Sequence, residues 1–154
     1  MKNAIQLNQD NLKEIGNSIP VPNYSRSTDN IDIVHIGVGG FHRSHLAYYV
    51  DLLKKGSGAS PPALCGIGLR EADEKLHDIF KKQDHLYTLM VKHPNGTIEP
   101  EVIGSLVDFK LGITDPEPVI VRMAHASTKI VSLTITEGGY NFNPTTGKFN
   151  FNNP

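Results

Sequence analysis

The chain has 154 residues, 38% hydrophobic and 20% charged, the size and composition of one ordinary globular domain with a core of its own. A net charge of -1 gives no electrostatic ground for nucleic acid or an anionic membrane as partner, and no apolar run nears the roughly 20 residues of a membrane span. The single cysteine, Cys65, excludes an internal disulfide framework, and with no apolar signal segment at the N-terminus the expected address is cytoplasmic.

Residues 1–30 read as an N-terminal arm. Leu7, Leu12 and Ile15 line one side of a short helix, and Ile19-Pro20-Val21-Pro22 then enforces an extended stretch. Polar residues Ser25 to Asn30 lead into a first strand, Ile31 to Ile36, whose apolar residues on both faces suit an interior parallel strand. Gly37-Val38-Gly39-Gly40 follows, and the chain turns directly into a helix. Its apolar stripe is Leu46, Tyr49, Val50 and Leu53, and Lys54, Lys55 and Gly56 end it. Ser57 to Pro62 is a surface connection. Ala63 to Leu69 is a second strand that buries Cys65, and Glu71 to Gln83 a second helix with the stripe Leu76, Ile79 and Phe80.

Leu86 to Lys92 is the next strand. His93-Pro94-Asn95-Gly96 turns it back, because both residues of an Asn-Gly pair tolerate positive φ, and Thr97 to Leu106 is its partner. A helix is assigned to Glu117 to Ala126 and a further buried strand to Lys129 to Thr136. Tyr140 to Phe142 and Lys148 to Phe151 flank a last hairpin turn, Asn143 to Gly147. The order is that of an α/β protein: a partial, Rossmann-like doubly wound parallel sheet with β-hairpin insertions. Such a sheet has about six parallel strands in two halves. One half and the first strand of the other are legible, so residues 31–154 are expected to form an incomplete dinucleotide-binding domain.

The strand–glycine–helix passage carries the chemistry. It places backbone N–H groups at a helix start, where they hold a pyrophosphate, and glycines let the phosphate approach without meeting a Cβ. Gly37-x-Gly39 fits the first two positions of the dinucleotide fingerprint, while His42 stands at the third. A bare GxG also occurs in ordinary turns; the strand before it and the amphipathic helix after it favour the nucleotide. The second requirement is an acid after the second strand to meet the adenosine ribose, and Glu71 and Asp73 both qualify. Either also serves simply to charge the first turn of a helix. A carboxylate there repels a 2′-phosphate and favours NAD over NADP; Arg70 argues the other way. Arg43 suits either a phosphate or a surface carboxylate. His42 and His45 share a helix face at i and i+3, but no third ligand accompanies them and no metal site is assigned. Thr134 to Tyr140, TITEGGY, lies at the C-terminal end of a parallel strand, where ligands of open α/β sheets bind.

Three segments, GVGGFHRSHLAYYVD, CGIGLREADEK and VSLTITEGGYNF, together resemble the N-terminal part of the polyol-specific long-chain dehydrogenases, nearest to their mannitol-oxidising members. The likeness runs from about Ile31 to Phe151, and the family's FHR-x-H extension explains why His42 replaces the third glycine. It implies NAD-dependent, metal-independent oxidation of a polyol to a ketose, and the reverse. The expected cofactor residues are Ile36, Gly37, Val38, Gly39, Gly40, Phe41, His42 and Arg43 in the loop, Asp73 on the adenosine ribose, and Thr136 and Glu137 on the nicotinamide side. Ala72 stands where mannitol dehydrogenases can carry a second acid, which loosens discrimination against NADP. The family's catalytic lysine, with its asparagine and histidine, lies in a later helical domain that nothing in this chain matches. No catalytic residue is assigned, and the chain by itself is expected to lack the activity. The competing expectations are a stand-alone nucleotide-binding or interaction module, and a methyltransferase binding S-adenosylmethionine, in which FHRSH and TITEGGY would have no part.

Overall fold

The computed structural model describes residues 4–56, 62–135, 137–143 and 145–151. A short helix, α1 (Leu12–Ile15), precedes β1 (Ile31–Ile36); α2 (Gly40–Ser44) and α3 (Leu46–Gly56) lead to β2 (Ala63–Gly68). Next come α4 (Ala72–Lys82), an antiparallel pair β3 (Tyr87–Lys92) and β4 (Ile98–Ile103), and β5 (Leu106–Leu111). Helix α5 (Glu117–Met123) leads to β6 (Ile130–Leu133). A 3-10 turn (Glu137–Tyr140) and the hairpin of β7 (Phe142–Asn143) and β8 (Lys148–Phe149) complete the described elements.

The main sheet is parallel throughout, in the order β5-β2-β1-β6. The first three strands grow outward on one side of β1, and the chain then crosses back to place β6 on its other side. That reversal is the switch point of a doubly wound sheet. Both faces of its centre are covered. Ile33, Val38, Ala47, Val50, Leu64, Phe80, Leu106 and Phe109 pack on one side, and Ile31, Val34, Cys65, Ile67, Val107 and Val119 on the other. All six residues of β2 are buried, as an interior parallel strand requires.

Residues 4–30 are bonded to this body through the following contacts. Leu12 packs with Leu86 and Val102 in a third cluster, the Val102 N–H donates to Pro20 O at 2.8 Å, and the Arg26 guanidinium donates to the carbonyls of Asp84, Gly104 and Leu106.

Several expected elements are redrawn. The run Thr97 to Leu106 is two strands in two sheets, β4 and the start of β5, parted by a corner at Gly104-Ser105. There the Gly104 N–H donates to Asp51 Oδ1 at 2.7 Å, and the Ser105 hydroxyl to Ala47 O at 2.6 Å. Both partners come from α3, more than fifty residues away, so no local pattern announces the break. The glycine turn does not enter one continuous helix either: α2 is a single turn that ends at His45 (φ -124, ψ -90) before α3 begins.

Both helix stripes are rotated from the apolar residues. In α3 the buried positions are Ala47, Val50, Asp51 and Lys54, while Tyr49 and Leu53 are exposed. In α4 Asp73 and Phe80 are buried and Ile79 is exposed. Asp51 is taken inside because it accepts from the Tyr24 hydroxyl and the Gly104 N–H and pairs with Lys55 Nζ at 2.7 Å. A carboxylate hydrogen-bonded through one oxygen and ion-paired through the other can displace a leucine from the core. Strand β6, expected to be buried, is the sheet edge, with Ile130, Val131 and Leu133 exposed.

Candidate nucleotide-binding site

A cavity of about 460 Å³ opens at the C-terminal ends of β1, β2 and β6, at the switch in strand order. Its walls are Ile36, Gly37, Gly39, Gly40 and Phe41 from the turn after β1, Leu69, Arg70 and Asp73 after β2, and Leu133 and Thr134 at the end of β6. Crossovers on either side of β1 leave opposite faces of the sheet, so a crevice forms between them at this place in the topology.

The turn is shaped by two close approaches. Gly37 has φ +96, a conformation L side chains rarely adopt, and its N–H donates to Ile67 O at 2.8 Å, anchoring the turn to β2. A Cβ on Gly66 would overlap the Val38 Cγ2 methyl, so β2 carries a glycine where Val38 seats into the core. Gly39 and Gly40 carry neither constraint: their φ is not positive, and a Cβ on either, as on Gly37, would meet no described atom within 4 Å beyond its chain neighbours. Their missing side chains keep cavity space open. The turn is held from behind by the Arg43 guanidinium, which donates to Val38 O at 2.7 Å, and by the Tyr87 hydroxyl, which donates to Arg43 O.

At the second wall, Asp73 binds its own loop. Its Oδ2 accepts from the backbone N–H groups of Leu69 (3.2 Å) and Arg70 (3.1 Å), and its Oδ1 pairs with Arg70 Nη2 at 3.0 Å. Burial by itself would raise this carboxyl, but the Arg70 guanidinium and the two N–H groups outweigh it and hold the acid below its ordinary value. Gly68 allows the approach, since a Cβ there would come within 2.8 Å of Asp73 Cβ.

Of the residues expected from the sequence, the fold brings Ile36, Gly37, Gly39, Gly40, Phe41 and Asp73 together on one cavity. Val38, His42 and Arg43 belong to the same turn but not to the lining. Val38 is a core residue, Arg43 clamps the turn, and His42 is 1% exposed and stacked on His35. Thr136 and the side chain of Glu137 lie outside the described residues. Leu69, Arg70, Leu133 and Thr134 complete the lining. Arg70 and Thr134 were visible as polar residues at strand ends; Leu69 and Leu133 carry no signal that separates them from core positions. Glu71, the other candidate acid, is exposed and absent from the lining. His42 faces His35 while the exposed His45 stacks on Phe41, and no group of three metal-ligating side chains converges among the described residues. Burial, and to a smaller extent Asp108, pushes the Cys65 thiol up to about 12, which leaves it an inert core residue.

Among the described residues, no helix is long and apolar enough to cross a membrane. The sequence matches the family described as the mannitol dehydrogenase Rossmann domain over residues 31–152. It is 43% identical over 155 residues to mannitol 2-dehydrogenase of Pyricularia oryzae, covering 98% of this chain and 31% of that protein. Against the mannitol 2-dehydrogenase of Emericella nidulans it is 46% identical over 147 residues, covering 92% and 29%. Among solved structures, Pseudomonas fluorescens mannitol 2-dehydrogenase in ternary complex with NAD and D-mannitol aligns with a TM-score of 0.83 at 40% identity, over 94% of this chain and 30% of that one. A substrate-free D-sorbitol dehydrogenase aligns with a TM-score of 0.78 at 39% identity, over 97% and 31%. The chain therefore spans about 31% of the length of the curated relatives it matches. With the switch-point cavity, the glycine turn and these alignments in agreement, the chain belongs to the mannitol dehydrogenase Rossmann domain family.

Proposed function

We propose that this chain binds NAD in the switch-point cavity and serves as the dinucleotide domain of a mannitol-type polyol dehydrogenase, an oxidoreductase of carbohydrate metabolism acting between polyol and ketose. The observation that carries the reading is the open space at Gly39 and Gly40, two cavity-lining positions where a side chain would meet no part of the described chain. Glycine there is explained by a group that must approach the backbone. The similarity to Pseudomonas fluorescens mannitol 2-dehydrogenase, solved in complex with NAD and D-mannitol, supports it.

Each wall has a task in this reading. The N–H groups at the start of α2 precede any intrahelical acceptor and are available to the pyrophosphate. Because α2 is one turn long, the grip comes from these local groups rather than from the dipole of a long helix. Ile36 and Phe41 supply apolar contact, Val38 and Arg43 hold the turn in shape, and His42 packs it from behind. Asp73 offers its remaining lone pairs to the adenosine ribose, Arg70 stands beside it, and the family resemblance assigns Thr136 and Glu137 to the nicotinamide side. NAD, when bound, supplies the acceptor for the hydride of the polyol; no residue of this chain is assigned to the proton transfer. Residues 1–30 act as an arm bracing residues 31–154, the nucleotide-binding unit. The cytoplasm is the compartment that fits a single reduced cysteine.

Calorimetric titration of the purified chain with NAD, NADP and S-adenosylmethionine tests the reading. Binding of NAD in preference to the other two is expected. Tight binding of S-adenosylmethionine with no response to NAD overturns it.

A further inference from the structure

Two buried imidazoles lie behind the cavity. His35 on β1 and His42 in α2 are stacked, with ring centroids 4.0 Å apart and planes 12° from parallel. His35 uses both of its ring nitrogens: Nδ1 hydrogen-bonds Ser132 Oγ at 2.9 Å, and Nε2 hydrogen-bonds Thr134 Oγ1 at 3.1 Å. His42 uses neither, since both of its ring nitrogens are buried without a partner among the described residues. Burial first, and then the neighbouring His35 and Arg43, lowers its pKa to about 3, so the stack is a neutral one.

Thr134 is the link to the cavity. The β1–β6 pairing ends at Ile36 and Leu133, and beyond it the Thr134 N–H reaches Ile36 O only at 3.4 Å. The backbone ladder thus releases the chain just where Thr134 lines the cavity. Its side-chain bond to His35 is the better-formed contact. A neutral imidazole has one N–H and one lone pair, and hydroxyls accept or donate, so both bonds are made in either tautomer. A half-turn of the ring would exchange nitrogens for carbons and break both. The face of His42, packed flat against it, opposes that rotation.

Resting on the dinucleotide reading, we propose that His35 is a positioning residue of the cavity: held by His42, it fixes the Thr134 hydroxyl on the wall beside the glycine turn, where the bound nucleotide meets it. His35 touches no ligand itself and acts through Thr134.

A double-mutant cycle on NAD binding, read by calorimetry, tests this, with circular dichroism reporting folding. His35→Phe keeps a flat ring in the stack and removes both hydrogen bonds. It is expected to weaken NAD about tenfold, the scale of one net hydrogen bond. Thr134→Val is expected to do the same and Thr134→Ser to bind near wild type. His35→Phe/Thr134→Val should be no weaker than Thr134→Val alone, a coupling that general loosening of the fold does not produce. Wild-type affinity in His35→Phe, or losses that multiply in the double variant, overturns the proposal while NAD binding by the wild type stands. A wild-type chain that does not bind NAD removes the dinucleotide reading, and this inference with it. If His35→Phe does not fold, the ¹⁵N resonances of the His35 ring decide: NAD should shift them in the wild type and leave them in place in Thr134→Val. Resonances that NAD leaves unmoved in the wild type overturn the proposal.

Discussion

Arg70 and Asp73 are joined across one turn of the cavity wall, Nη2 to Oδ1 at 3.0 Å, yet the side chain of Arg70 is 75% exposed and that of Asp73 only 9%. The acid is turned into its loop and the base toward solvent, so the charge a ligand meets first is positive. Asp73→Ala is expected to free Arg70, loosen residues 69–70 and cost about 1–3 kcal/mol of stability, the scale of hydrogen bonds to a charged group. It should weaken NAD more than NADP, because an unpaired Arg70 favours a 2′-phosphate. Parallel titrations with both nucleotides check this; equal losses would remove Asp73 from its ribose role. The carboxyl is held below its ordinary value in the folded chain, so its contribution is present at neutral pH. It is lost as pH falls below roughly 4 and through the depressed value.

Gly39 and Gly37 separate folding from binding. Gly39 has φ -74, which any residue adopts, and Gly39→Ala adds a methyl group to empty cavity space. Thermal stability should change by less than about 0.5 kcal/mol, whereas NAD affinity should fall at least tenfold. Gly37→Ala forces a Cβ onto φ +96 and should lose both, with about 1–2 kcal/mol of stability gone. Thermal melts beside titrations distinguish the two. Undiminished NAD binding by Gly39→Ala would remove the glycine cradle from the functional reading.

His42 carries a buried polar edge that bonds to nothing described. His42→Phe retains a flat ring and deletes that edge, and should stabilise the chain by about 1 kcal/mol, with crowding by the larger ring opposing part of the gain. It should also change the acid limb. With a folded pKa of about 3 against about 6.5 unfolded, His42 takes up its proton on unfolding, so wild-type stability declines as pH falls from about 6.5 toward 3. Urea melts at pH 7 and pH 4.5 should show a smaller drop for His42→Phe than for the wild type, and NAD binding should persist in the variant.

Asp51 is fully buried and ties together the arm, α3 and the Gly104 corner. Asp51→Ala leaves the Tyr24 hydroxyl and the Gly104 N–H without this acceptor and leaves Lys55 paired with Glu101 alone. It should cost about 3–5 kcal/mol, the scale for breaking a buried charged pair. Denaturant unfolding measures it. A loss under 1 kcal/mol would show that the corner does not depend on this carboxylate.

The sequence by itself determined the α/β class, the strand–glycine–helix passage, the hairpin at His93 to Gly96 and the residues of the turn, because all of these are local. Apolar runs of strand length, an Asn-Gly pair and a glycine at φ +96 act within a few residues of themselves. Only the tertiary structure decided that the run Thr97 to Leu106 breaks at Gly104, since the acceptor that bends it is Asp51. It alone decided which face α3 buries, since hydrophobic periodicity records side-chain polarity and not the partners that make a buried carboxylate tolerable. The same holds at the cavity. Spacing leaves Glu71 and Asp73 as equal candidates and only the family resemblance favours Asp73; the fold puts Asp73 on the cavity wall, where Gly68 lets it approach the strand end, while Glu71 is exposed. His35 read as one more residue of a buried strand. Its tie to Thr134 spans 99 positions, and only a parallel sheet that returns β6 to the side of β1 brings the two together.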